Sequence, residues 1–304
     1  MTASNYVIGV DIGGTHCTAA LIDLSQKQIV PSTLKRVAIN ANGAAGDIIA
    51  AWSDCILSVK QRVNVAGICL AMPGPFDYEA GISLMQGQHK YESLYRLHIK
   101  ELLGNALGVA PAVIFMDNDA ACFLQGEVFS GIAGDYVNDT VIGVTLGTGL
   151  GSAVYKKGSA KSADLWRLPF KDGIAEDYLS ARWFLRRFKE LTGRSVQHVK
   201  ELALLAETNE NTRVVFHEFG ANLGQFLLGV IKKENPPAIV IGGNISKAFP
   251  LFRHSLQFII NGPYPHIKIE RSVLGEEALL LGAAGSYVFH RQQGSCCPLP
   301  GSKF

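Results

Sequence analysis

Two apolar runs in this chain each end in a glycine-rich turn and pass at once into a second strand-like run. The first, Val7 to Asp11, leads through Ile12-Gly13-Gly14-Thr15 into Cys17 to Leu24. The second, Val141 to Leu146, leads through Gly147-Thr148-Gly149-Leu150-Gly151 into Ser152 to Tyr155. A glycine pair tolerates a tight reversal because no Cβ obstructs it, so each unit reads as a β-hairpin. The recurrence of one unit in opposite halves of the chain points to a duplicated architecture, with one glycine loop from each half facing across a cleft.

The segments between these hairpins alternate in character. Gln28 to Val37 reads as a third strand, and Ile48, Ile49, Trp52, Ile56 and Val59 recur at helical spacing. A strand from Val65 to Ala71 then ends in Met72-Pro73-Gly74-Pro75, and another from Val113 to Met116 runs into Asp117-Asn118-Asp119 and an alanine-rich helix. In the second half the pattern predicts helices over Glu176 to Leu191, stopped by Gly193, and over Arg213 to Glu234. The short buried strand Ile239-Val240-Ile241 ends in Gly242-Gly243-Asn244; a strand at Ile267 to Ile269 and a helix over Glu277 to His290 follow. Helix-to-strand alternation of this kind implies an α/β protein.

Composition excludes several classes. With 304 residues, 48% hydrophobic, the chain has ample core-forming material for about two domains. Its 28 Lys and Arg are balanced by 26 Asp and Glu, net charge +2, with no dense basic run. A nucleic-acid partner is therefore not expected, and the partner is a small molecule. No basic, then apolar, leader opens the sequence, and the longest apolar run, Ala278 to Phe289, is shorter than the ~20 residues of a membrane span, so the reading is cytoplasmic with no membrane partner. The cysteines Cys17, Cys55, Cys69, Cys122, Cys296 and Cys297 lack metal-ligand spacing and read as reduced structural thiols, the last two in a frayed tail from Gly294 to Phe304. His16, His89, His98, His217 and His254 form no ligand pattern.

Three glycine turns carry the candidate chemistry. Gly13-Gly14-Thr15 lets backbone amides approach an anion, yet it precedes a strand and lacks a Gly-Lys-Ser/Thr ending, so it is neither a Walker loop nor a dinucleotide fingerprint. A hairpin-type phosphate loop remains, with a plain tight hairpin as the alternative. Asp11 beside it can join a Mg²⁺ shell through water. Gly147-Thr148-Gly149 is suited to clamp further phosphates, and Gly242-Gly243 to lie against a purine or its ribose; ordinary turns are the simple alternatives. Asp119, at the junction of a strand and a helix, can take a hydroxyl proton while that oxygen attacks phosphorus, with Asn118 orienting the same substrate. A helix cap explains Asp119 as well, and spacing alone leaves both open. Asp164 and Glu176 follow the second loop as acceptors for a hydroxyl-rich ligand, or as solvated surface groups.

The ordered set Asp11-Ile12-Gly13-Gly14-Thr15, Pro73-Gly74-Pro75, Asn118-Asp119-Ala120, Gly126-Glu127, Leu146-Gly147-Thr148-Gly149-Leu150-Gly151 and Ile241-Gly242-Gly243 resembles the ROK family of sugar kinases over nearly the whole chain. The resemblance implies an actin-like ATPase (ribonuclease H-like) fold, with two domains around a nucleotide and sugar cleft. The first domain is expected over 1–117 plus a C-terminal helix at about 284–304, the second over 118–283. It implies phosphorylation of a hexose hydroxyl by ATP and Mg²⁺, glucokinase-like, with domain closure over the sugar excluding water. An N-acetylated amino sugar, fructose or allose is the alternative substrate, and a homodimer the expected assembly.

Carried over by position, the resemblance makes Asp119 the catalytic base. Asn118, Gly74, Asp164 and Glu176 become sugar-side residues. Asp11, Gly13, Gly14 and Thr15 form the first phosphate and metal loop, Gly147, Thr148 and Gly149 the second, and Gly242 with Gly243 faces adenosine. The family's zinc-building segment is replaced here by Lys161-Ser162-Ala163-Asp164-Leu165-Trp166-Arg167, with Asp164 standing for a glutamate and Arg167 for a histidine, so no zinc site is expected. Met85 to Leu94 lacks the family's usual asparagine and leaves Gln88 or His89 as sugar contacts. The family also holds sugar-responsive repressors with an amino-terminal helix-turn-helix, for which the six residues before the first strand offer no counterpart.

Overall fold

The structure, a computed structural model, describes residues 4–59, 63–88 and 90–294. His89, Cys296, Cys297 and the tail beyond Gly294 lie outside the described residues. In chain order the first part holds β1 (Tyr6–Ile12), β2 (His16–Asp23), β3 (Gln28–Ile29), β4 (Lys35–Ala38), α1 (Ala45–Val59), β5 (Ile68–Met72), β6 (Phe76–Asp77), β7 (Ile82–Ser83), α2 (Ile99–Leu107), β8 (Ile114–Asn118) and α3 (Asp119–Phe129). The second part holds β9 (Val141–Leu146), β10 (Leu150–Lys156), β11 (Ser159–Ser162), β12 (Pro169–Phe170), β13 (Gly173–Ile174), α4 (Ala175–Tyr178), α5 (Ala181–Thr192), α6 (Val199–Leu205), α7 (Glu210–Glu234), β14 (Ala238–Gly242), α8 (Phe249–Asn261) and β15 (Lys268–Arg271). The chain closes with α9 (Glu277–Gln292).

These elements form two compact units, Met1–Gly131 with Glu276–Phe304, and Ile132–Gly275. The first unit carries a sheet ordered β3-β2-β1-β5-β8, with β4 also on β2; the second carries β11-β10-β9-β14-β15. In both, a hairpin is extended by two parallel strands: β1–β2 is antiparallel with β5 and β8 added parallel, and β9–β10 is antiparallel with β14 and β15 added parallel. The repeated hairpins of the sequence thus seed repeated sheets. Parallel strands need covered faces, and β5 and β14 are buried at every position.

The expected boundary at residue 117 moves to Gly131, and the C-terminal piece begins at Glu276 rather than near 284. The reason is packing: α3 lies against α9 within the first unit, at a separation only glycine allows. A Cβ on Gly126 would stand 2.0 Å from the carbonyl oxygen of Ala278, and one on Gly282 would stand 1.6 Å from that of Cys122. Two other expectations are corrected. Gln28 to Val37 is two short strands, because Pro31 cannot donate to a ladder and Ser32 turns the chain at φ 65°. Glu176 to Leu191 is interrupted by extended Ser180 at φ −129° and ψ 169°, which splits it into α4 and α5, while Gly193 ends α5 in the left-handed region as expected.

The second core centres on Phe184, Phe216, Phe219 and Phe252, whose rings stack at 4.5–5.2 Å between centroids. Burial of each such side chain contributes about 1.5–3 kcal/mol. α7 is long and apolar enough by composition to cross a membrane, yet Val215, Phe219, Leu223, Leu227 and Ile231 place one of its faces in this core.

The glycine seam yields a stability test. Gly282→Ala is expected to destabilise the protein by about 3 kcal/mol or more in chemical denaturation, since backbone lies in the way of the new methyl. Gly229→Ala, in α7 with nothing within 4 Å of the added methyl, is expected to be neutral or stabilising by up to about 1 kcal/mol. Equal effects would refute the seam.

Candidate active site

In the first unit the carboxyl ends of β1, β5 and β8 lie side by side. Asp11 is in register with Ala71, Ala71 with Asp117, and Met72 with Asn118. Strand ends of this kind are where open α/β sheets gather ligand groups. Beyond β1 the Gly13 amide closes the hairpin on the His16 carbonyl at 2.9 Å, leaving Gly14 and Thr15 exposed at the tip, where the Thr15 hydroxyl and His16 Nδ1 stand 2.9 Å apart. The Tyr91 hydroxyl donates to the Gly13 carbonyl at 2.5 Å, and the Tyr91 amide donates to Ala41 at 2.7 Å. A segment distant in sequence therefore buttresses the glycine turn.

Asn118 is the residue that caps α3. Its Oδ1 accepts from the amides of Ala120 at 3.0 Å and Ala121 at 3.2 Å. Its Nδ2 donates to the Tyr78 hydroxyl at 3.0 Å, which donates onward to the Met72 carbonyl at 3.3 Å. Gly74 lies against this pair: a Cβ there would stand 3.1 Å from the Tyr78 hydroxyl and 3.8 Å from Asn118 Nδ2. Asp117 turns the other way, accepting from the Asn118 amide at 2.8 Å and the Ser286 hydroxyl of α9 at 2.9 Å. The cap position is thereby filled by its neighbour, and Asp119 enters the first turn of α3 with Oδ1 accepting from the Ala120 amide at 2.8 Å.

The electrostatics set two carboxyls apart from the rest. Burial holds Asp119 above its ordinary value, against lowering by the Ala120 amide and the Lys90 charge. Asp11 is pushed up to about 7, first by burial, then by the charges of Asp119 and Glu276, with Arg36 opposing. Arg36 and Glu276 form an exposed ion pair at 2.5 Å. Asp11 and Asp119 are oxygen donors of the kind a hard cation takes, although among the described residues no group of three or more metal-binding side chains stands together.

The second unit gathers its own set. The Gly147 amide closes on the Gly149 carbonyl at 3.0 Å, and the Gly147 carbonyl accepts from Ala181 at the start of α5 at 2.8 Å. Glu176 reaches this loop: its Oε2 accepts from the Leu150 amide at 3.0 Å and would stand 2.5 Å from a Cβ on Gly149, while its Oε1 pairs with Arg182 at 2.8 Å. Gly242 is in register with Thr145. Gly243, at φ 79°, packs so closely on the end of β9 that a Cβ would stand 2.4 Å from the Leu146 carbonyl oxygen. Thr148 is exposed at the loop tip, and Asp164 is engaged by Arg167 at 3.4 Å and Ser162 at 3.2 Å.

The structure thus brings Asp11, Gly13, Gly14, Thr15, Gly74, Asn118 and Asp119 to one end of the first sheet. It brings Gly147, Thr148, Gly149, Glu176, Gly242 and Gly243 together in the second unit, with Asp164 and Arg167 turned to each other. Sequence reasoning missed Tyr78, Tyr91, Lys90 and Arg182. Each reaches a group that no local periodicity ties it to, Tyr78 the end of β8, Tyr91 and Lys90 the Gly13-Gly14 turn, and Arg182 the Glu176 carboxylate; a tyrosine just after the Pro-Gly-Pro turn was the one local signal.

Known proteins place this arrangement. The chain is 25% identical over 313 residues to the glucokinase of Thermotoga maritima, covering 91% of this chain and 96% of that one. A solved ROK family glucokinase from Streptomyces griseus, in complex with glucose and AMPPNP, superposes with a TM-score of 0.74 at 22% identity, covering 94% of this chain and 99% of that one. The xylose repressor of Bacillus subtilis is 20% identical over 94% of this chain and 78% of its own length. The fold is the α/β actin-like ATPase fold of these structures. The ROK family pattern matches residues 7–162, more than half of the sequence, and the chain belongs to the ROK family.

Proposed function

We propose that the protein is an ATP-dependent sugar kinase acting on a hexose hydroxyl, glucokinase-like in substrate. The observation that carries this reading is Asp119, whose carboxyl is held above its ordinary value beside an Asn118 whose orientation is fixed on both sides. A base of raised pKa can accept the hydroxyl proton as that oxygen forms its bond to the γ-phosphorus and the bond to ADP breaks. Asn118 spends its oxygen on the cap and its amide nitrogen on Tyr78 and on the Asp119 carboxylate, which holds it beside the base where a substrate hydroxyl would lie. The Gly13-Gly14-Thr15 turn offers backbone amides to a nucleotide phosphate; within the second unit, Glu176 reaches the Gly147-Thr148-Gly149 turn and has the acceptor chemistry for a hydroxyl-rich ligand. Asp11, with Asp119 nearby, would hold Mg²⁺, directly or through water. When bound, the ion neutralises phosphate charge.

The relatives that repress transcription favour a second reading, a sugar-responsive regulator that binds without turnover. A coupled ADP-release assay with Mg²⁺-ATP over glucose, mannose, fructose, allose, N-acetylglucosamine and N-acetylmannosamine separates the two. Turnover with one sugar supports the kinase; sugar binding by calorimetry with no ADP release favours the regulator.

Asp119→Asn is expected to lower kcat by about 10²–10⁴-fold while the fold is retained and sugar affinity stays close to the parent value. Turnover retained at the parent rate would remove Asp119 from the mechanism. Asp11 makes a separate prediction without ligands. Its folded value, about 7, lies above its ordinary 3.8, so folding favours the protonated form. The stability that this group confers is full below about pH 4 and is lost as pH rises through 7. At pH 8 the ionised carboxylate costs at most about 4 kcal/mol by this linkage. Asp11→Asn is expected to melt higher than the parent at pH 8 in the absence of Mg²⁺ and nucleotide, the gap closing toward pH 4. A gap independent of pH would contradict the assignment.

A further inference from the structure

We infer that Lys90 is a further catalytic residue, its ammonium contacting the γ-phosphoryl group held over the Gly13-Gly14 turn and facing the base Asp119. The inference rests on the reading of that turn as a phosphate loop. Lys90 is half-buried, and its Cδ lies 4.0 Å from where a Cβ on Gly14 would stand, so the aliphatic stem runs along the tip of the turn. Its position is fixed by the backbone beside it. Tyr91 is pinned by its amide to Ala41 and by its hydroxyl to Gly13, and the Glu92 carboxylate accepts from the amides of Gly87 at 3.0 Å and Gln88 at 2.7 Å.

Among the described residues Lys90 has no hydrogen bond and no carboxylate within 4.0 Å, in contrast to Arg36, Lys156, Lys171, Arg182 and Arg187, each of which is engaged. A half-buried cation poised between a glycine turn and a carboxylate, and committed to neither, has the chemistry to receive a polyanion. As the phosphoryl group passes from ADP to the sugar oxygen, charge spreads over its equatorial oxygens, where a lysine acts as a point charge. No extra bond to Lys90 forms or breaks; the proton still goes to Asp119.

The same ammonium also acts on the base. The charged or titratable groups around Asp119 are Asp11 at the end of β1, Tyr78 after β6, Asp117 at the end of β8, Cys122 within α3, and Lys90. Asp11, Asp117 and Cys122 are acids, and Lys90 is the cation that lowers Asp119.

The test is Lys90→Met, which keeps the stem and removes the charge, alongside Lys90→Arg. Calorimetry with Mg²⁺ compares ADP with the triphosphate analogue AMPPNP. Lys90→Met is expected to bind ADP as the parent does and AMPPNP about tenfold or more weakly, with kcat lowered about 10²–10³-fold and partly restored in Lys90→Arg. Equal affinities of parent and Lys90→Met for both nucleotides would overturn the role of Lys90. A parent that binds neither nucleotide would instead overturn the phosphate-loop reading, and the inference with it.

Discussion

The first unit depends on two helices approaching closer than any side chain permits. Gly126 on α3 and Gly282 on α9 each face the other helix's backbone at distances a methyl could not share. This contact joins the last helix of the chain to the middle of the sequence, and it fixes α3 against β8. Ser286 of α9 then holds Asp117, and the Asp117 carboxylate holds the Asn118 amide. Position is thus passed from a glycine seam through two polar contacts to the candidate base, by groups that never meet a substrate. Gly9 extends the seam, since a Cβ there would stand 2.8 Å from the Leu280 carbonyl oxygen and 3.2 Å from the Ile22 side chain of β2.

Burial and charge at the strand ends oppose what folding alone would favour. A chain selected for stability would not set Asp11 near Asp119 and Glu276, with an exposed arginine as the cation acting on Asp11. The strain is modest because the helix amides of α3 and the Lys90 charge offset part of it at Asp119.

Much of the fold was legible because its strongest signals are local. The β1–β2 and β9–β10 hairpins are written as apolar runs around glycine turns. The buried strand β14 and the long helices α1, α7 and α9 follow from periodicity, each within a few residues of the expected bounds. What failed was punctuation. A strand pattern ran through Pro31, and a helical pattern through Ser180, because apolar spacing survives a break that the backbone does not. The helices α2, α6 and α8 were not anticipated, and the unit boundary was set too early, since nothing local announces that α3 packs onto α9.

The candidate site divides along the same line. Glycines and carboxylates at strand ends were visible because their chemistry is set by residue type and position on an element. Tyr78, Tyr91 and Lys90 were not, because each reaches the strand ends from a loop whose course depends on tertiary contacts. The cap question shows why geometry was needed. Either Asn118 or Asp119 could cap α3, and spacing leaves the choice open. In the structure Asn118 Oδ1 receives the amides of both Ala120 and Ala121, while Asp119 receives Ala120 through Oδ1 and is also approached by its own amide and by the Asn118 side chain. A carboxylate at the cap would have both its charge and its lone pairs tied to the helix. With the asparagine at the cap, Asp119 sits in the first turn of α3 rather than closing it, where its carboxyl can serve as a base.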